Sequence, residues 1–165
     1  MKLIKLPLVA ALSLLVLSSN VWAQSTKRLI DEVNPFIGTS NFGTTNPGAV
    51  VPNGLMSITP FNVSGSPELN KFDKDKRWWS TPYTADNKFF SGFSHVNLSG
   101  VGCPELGSII VSASAGDLDV DYTHYGSAMS EEKAHPGYYS VQLDKHKIKA
   151  EVTATQRTAV SAFTF

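Results

Sequence analysis

The sequence predicts an all-β protein built from antiparallel sheets, and three observations predict it. Tyr139, Val141 and Leu143, and then Ile148, Ala150, Val152 and Ala154, place an apolar side chain at every second position, with Lys149, Glu151 and Thr153 opposed. Side chains alternate across a strand, so such a run covers a core with one face and meets water with the other. Asp144 to Lys147 lies between the two runs and reads as a hairpin turn. No long stretch shows helical apolar periodicity.

In chain order, the first segment is a signal peptide. Lys2 and Lys5 precede a nearly unbroken apolar run from Leu6 to Leu17, and Val21-Trp22-Ala23 predicts cleavage after Ala23. The run is shorter than the roughly 20 residues of a membrane span, so no span is expected after cleavage. Residues 33–52 and 64–87 read as loops, rich in Gly, Asn, Thr and Pro or in polar and aromatic residues. Between them Leu55 to Thr59 reads as a short strand closed by Pro60. Ile109-Ile110-Val111 predicts a buried strand. Asp117 to Tyr122 alternates strictly, with Leu118, Val120 and Tyr122 on one face and three aspartates on the solvated one. Ser130 to Ala134 reads as one helical turn stopped by Pro136. Ser161 to Phe165 reads as a strand with no turn or polar cap after it, which predicts a fragment of a longer protein.

Composition excludes some classes of function. The 165 residues carry 14 basic and 14 acidic side chains. Removing residues 1–23 leaves a 142-residue piece with 12 basic and 14 acidic, so the basic stripe of a nucleic-acid binder is not there. With Cys103 the sole cysteine, no disulfide framework is expected and the fold rests on packing.

The densest polar constellation is Gly92 to Gly107. Its glycines permit tight turns and close approach of backbone to a ligand, and among them stand His95, Asn97, Ser99, Cys103 and Glu105. Each of these side chains can instead satisfy the loop's own backbone; as a whole the loop reads as a site. Trp78-Trp79 is the second feature, since an indole stacks on the apolar face of a sugar while its neighbours bind hydroxyls. His95, Cys103, His124 and His135 have ligand chemistry for zinc, but their spacing matches no ligand pair of a known type, and no metal ligands are assigned.

Six motifs occur in order: Val33 to Thr39, Asn46 to Pro52, Gly92 to His95, Leu98 to Cys103, Pro136 to Tyr139 and Thr153 to Thr158. Together they resemble the N-terminal domain of glycoside hydrolase family 92. The resemblance implies an N-terminal β-sandwich over residues 24–165, normally joined to a larger C-terminal (α/α)₆ barrel. It also implies an exported exo-α-mannosidase that inverts configuration, acting on α-mannose-containing glycans from the periplasm, the cell surface or outside the cell. Calcium is the implied cofactor, bound mainly by the barrel, which also holds the catalytic acid and base. The sandwich is then expected to line one wall of the pocket with His95, Asn97, Ser99, Glu105 and Trp78 or Trp79, and an adjoining wall with Gly38, Thr39, Phe42 and Asn46. The chain departs from many members at Asn97, where a second His is usual, and at Ala159 and Ala162, where Gly and Arg are usual. The alternatives are a carbohydrate-binding domain without catalytic role, and a structural partner that only shields the barrel.

Overall fold

The computed structural model describes residues 28–40, 43–63, 81–97, 107, 109–121 and 124–165. The predicted signal segment, Trp78-Trp79 and residues 98–106 lie outside the described residues.

Among the described residues, nine strands form two antiparallel sheets. The first sheet holds β1 (Ala49–Val50), β2 (Ser57–Phe61), β4 (Gly92–His95) and β5 (Ile110–Val111), in the order β1-β2-β4-β5. The second holds β3 (Phe89–Phe90), β6 (Ser127–His135), β7 (Tyr138–Leu143), β8 (Ile148–Ala154) and β9 (Ala159–Thr164), in the order β3-β6-β7-β8-β9. Among the described residues there is no α-helix, only a 3₁₀ turn at Leu29–Glu32, and no helix long and apolar enough to cross a membrane.

The core lies between the sheets, as alternation dictates. Tyr139, Val141 and Leu143 on β7 and Ile148, Ala150 and Val152 on β8 are buried, while Lys149 and Thr153 are exposed. Phe93, on the first sheet, stands edge-on to Phe90 at 4.9 Å and to Tyr139 of the second sheet at 6.2 Å. Edge-to-face rings at such distances add attraction beyond the area they bury. The chain passes from one sheet to the other between β3 and β4, at Ser91, whose N–H donates to Phe61 O at 2.9 Å. Gly92 follows with φ of +149°, and a Cβ there would stand 2.3 Å from Ile110 Cγ2, so the crossing requires glycine.

Four expectations are corrected. Ser130 to Ala134 is not a helical turn but part of β6. Pairing of Ser130 with Gln142 and of Lys133 with Ser140 inserts one extra residue, a bulge with Glu131 at φ of +50°. The bulge reverses the alternation: Met129 points inward before it, Glu132 and Ala134 after it. Pro60 lies inside β2, opposite Phe93, and does not bound it. The β1 ladder reaches only Ser57 and Ile58, so no β1 partner needs the N–H that proline lacks. The strand at Ile109 to Val111 begins at Ile110 and is exposed, not buried. Asp117 to Asp121 forms no strand, and Leu118 and Val120 face solvent.

Candidate functional site

The site begins where β4 ends. Its register against β2, with Ile58 opposite His95 and Thr59 opposite Ser94, puts Ser94 inside the fold and His95 toward the loop that follows. His95 Nδ1 lies 2.9 Å from Ile109 O. A carbonyl only accepts, so Nδ1 is the donor in this contact. Val96 turns the chain at φ of +57°, and its N–H donates to Ser57 O. Asn97 then folds back on the scaffold. Its N–H donates to Ser57 Oγ at 2.7 Å, its Nδ2 to Ser94 O at 3.1 Å, and its Oδ1 accepts from Ser94 Oγ at 2.9 Å.

Gly107 closes this corner from the far end of the loop. A Cβ on Gly107 would stand 2.3 Å from Asn97 Oδ1, and φ there is +92°. Asn97 and Gly107, which flank residues 98–106 in the sequence, thus lie against each other. His95 and Asn97 lie side by side and make different contacts. The amide of Asn97 is spent on Ser94.

The residues expected on an adjoining wall are likewise bonded within the scaffold. Asn46 Oδ1 accepts from Thr59 Oγ1 at 2.8 Å and from the Gly48 N–H at 3.3 Å. Thr59 O in turn accepts from Ser94 Oγ at 3.4 Å. Asn46, Thr59, Ser94 and Asn97 form a continuous polar seam across β2 and β4, and Thr59 and Ser94 within it are fully buried. Thr39 is buried too. Its hydroxyl donates to Phe36 O at 2.8 Å and its carbonyl accepts from the Ala85 N–H at 2.8 Å. Gly38 is exposed beside it, and its carbonyl accepts from the Thr45 N–H. Phe42, Trp78, Trp79, Ser99 and Glu105 lie outside the described residues.

Sequence reasoning missed a second polar cluster, behind the site. Glu132 Oε1 accepts from the hydroxyls of Tyr83 and Tyr139, each at 2.8 Å, and Oε2 pairs with Lys88 Nζ at 2.7 Å. Burial, and after it the negative charge of Glu132, push both phenols well above the ordinary tyrosine range. Only the reversed parity after Glu131 signals that this carboxylate turns inward. Asn62 opens Asn62-Val63-Ser64, a glycosylation sequon. Fully buried, it donates to Thr84 O and Asn87 O and accepts from the Thr84 N–H, so it does not offer a free amide for a glycan. Among the described residues, no three His, Cys, Asp or Glu side chains gather as a metal site would require.

Residues 32–165 match the glycosyl hydrolase family 92 N-terminal domain. The chain belongs to glycosyl hydrolase family 92. Among solved structures, this family 92 domain is similar to the family's α-mannosidase from Bacteroides thetaiotaomicron in complex with mannoimidazole, with a TM-score of 0.70 and 31% identity. That likeness covers 84% of this chain and 18% of the other. A second similar structure is the family 92 glycosyl hydrolase ccman5, with a TM-score of 0.59 and 28% identity over 82% of this chain and 19% of that one. A curated relative from Arthroderma benhamiae, called an uncharacterized secreted glycosidase, is 29% identical over 163 residues, 93% of this chain and 20% of its own length. The chain thus spans about a fifth of the length of these relatives.

Proposed function

We propose that this chain is the N-terminal sandwich of an exported glycosidase that removes terminal, non-reducing α-mannosyl residues from glycans with inversion of configuration. The observation that carries the reading is the likeness to the Bacteroides α-mannosidase at 31% identity and a TM-score of 0.70. In this reading a signal peptide ending at Ala23 directs export, the mature domain runs from residue 24, and a catalytic barrel follows.

The corner built by Ser57, Ser94, Asn97 and Gly107 supports one wall of the mannose pocket. His95, Asn97, Ser99 and Glu105, with Trp78 or Trp79, face the sugar or hold the loops that do, and Gly38, Thr39, Phe42 and Asn46 form the adjoining wall. Inverting hydrolysis needs two carboxyl groups roughly 6.5–9.5 Å apart with a water between them and the sugar. Glu132 is committed to two tyrosines and Lys88, and Glu151 to Tyr138 and Lys149, which suits anchors and not a proton-transfer pair. In this reading, as the family resemblance implies, the acid and the base come from the barrel. Calcium, in this reading, is bound mainly by residues of the barrel.

The test is expression of the complete reading frame and proton NMR of the sugar released from an α-mannoside. The expected result is β-mannose as first product, with activity lost to a chelator and restored by calcium. Mannoside binding without hydrolysis would replace this reading with that of a carbohydrate-binding module.

A further inference from the structure

We infer that Ser57 is a positioning residue for turnover of α-mannosides: it holds the chain in a strained turn at Val96 and so sets where His95 and Asn97 stand. The inference rests on the reading above that this corner supports a wall of the mannose pocket.

β4 runs out into an unfavourable backbone conformation. Val96 has φ of +57°. Four described residues other than glycine have positive φ, and Val96 is the only β-branched one among them. A side chain branched at Cβ crowds its own backbone there, and such a residue persists only where its surroundings over-determine it. Val96 is 37% exposed, so its own packing contributes little to holding the turn.

Hydrogen bonds hold it instead. Ser57 O accepts from the Val96 N–H at 3.0 Å, and Ser57 Oγ accepts from the Asn97 N–H at 2.7 Å. The same hydroxyl stands 3.5 Å from Asn97 O, a long contact toward which its proton can point. One residue of β2 thus meets three backbone groups of the turn. The Asn97 amide adds two bonds to Ser94, which tie the turn to its own strand, whereas Ser57 ties it to the neighbouring one. On the other flank His95 Nδ1 meets Ile109 O, beside β5. The end of β4 is therefore pinned from both neighbours, with His95 between them.

The same side of β2 repeats the arrangement. Thr59, two residues on from Ser57 and so on the same face of the strand, bonds Asn46 through its hydroxyl at 2.8 Å. Two hydroxyls of one strand face each hold one residue expected on a sugar wall: Thr59 holds Asn46, and Ser57 holds Asn97. A valine kept in a left-handed turn costs stability, and such strain gathers where geometry serves a site.

The test uses the complete protein and the α-mannoside that it hydrolyses best. Ser57→Ala should lower kcat/KM about tenfold, because the Asn97 N–H loses its acceptor and the turn relaxes. Ser57→Thr, which keeps a hydroxyl on Cβ, should retain kcat/KM within about threefold. Val96→Gly should lower kcat/KM about fivefold or more while Tm holds or rises, since glycine takes positive φ without strain and frees the turn. Ser130→Ala removes a hydroxyl bond of 2.6 Å to Asp144 in the second sheet and should leave kcat/KM unchanged. Unchanged kcat/KM in Ser57→Ala, or a loss no greater than that of Ser130→Ala, overturns the inference. So does a Ser57→Thr variant as impaired as Ser57→Ala, or a Val96→Gly variant with full kcat/KM. Where Ser57→Ala fails to fold, Ser57→Thr and Val96→Gly decide. Absence of α-mannoside hydrolysis by the unaltered protein removes the proposed function and this inference with it. Hydrolysis indifferent to Ser57→Ala removes this inference alone.

Discussion

At the scale of the residue, Glu132 shows how one carboxylate ties several segments together. It receives Tyr83 from the 81–88 segment, Lys88 from the approach to β3, and Tyr139 from the core of β7. Removing it leaves two buried hydroxyls without their acceptor, and Lys88, half in solvent, loses less. Glu132→Ala should therefore cost about 2–3 kcal/mol in denaturant titration of the complete protein. The same cluster sets a limit in alkali. The folded state keeps Tyr83 and Tyr139 protonated above the ordinary tyrosine pKa, whereas the unfolded chain releases those protons at about pH 10. Between the two values the folded state binds more protons, so stability falls as pH rises above about 10. Titrations at pH 9 and pH 11 check this, and a midpoint unchanged between them contradicts it.

At the scale of the element, what was legible in the sequence is what obeys simple alternation. The β7–β8 hairpin satisfies period two over its whole length, pairing from Tyr138 with Thr153 through Leu143 with Ile148. β6 does not, because the bulge at Glu131 changes which residues face the core, and Ser-Glu-Glu-Lys-Ala then resembles a helical turn. Tertiary pairing overrides that local preference. The candidate corner was legible as a place through its glycines, but not as a geometry. Nothing in the sequence says that Asn97 spends its amide on Ser94 or that Gly107 closes against it. Gly107→Ala tests this arrangement. It forces a methyl group to within 2.3 Å of Asn97 Oδ1 at a backbone angle that suits glycine. In the complete enzyme kcat/KM should fall about tenfold or more, with a Tm loss of only a few degrees. A large Tm loss with unchanged kcat/KM would make the corner purely structural.

At the scale of the whole molecule, the two sheets differ in what they leave uncovered. The second sheet ends at β9, where Val160 and Phe165 are exposed, and the first at β5, which is exposed too. Residues 24–165 expressed alone should therefore self-associate at micromolar concentration, measured by light scattering; a monomeric species with a cooperative melt contradicts this. The sheets also differ in how far apart along the chain their partners lie. From Ser127 to Thr164 each strand meets the next across a short turn, and such hairpins close in about 1–10 μs. β2 finds β4 only after residues 62–91 have looped out, so that ladder carries the larger entropic cost of closure. The pace of folding is accordingly governed by the sheet that bears the candidate corner, and that corner is the last part of the domain to become ordered.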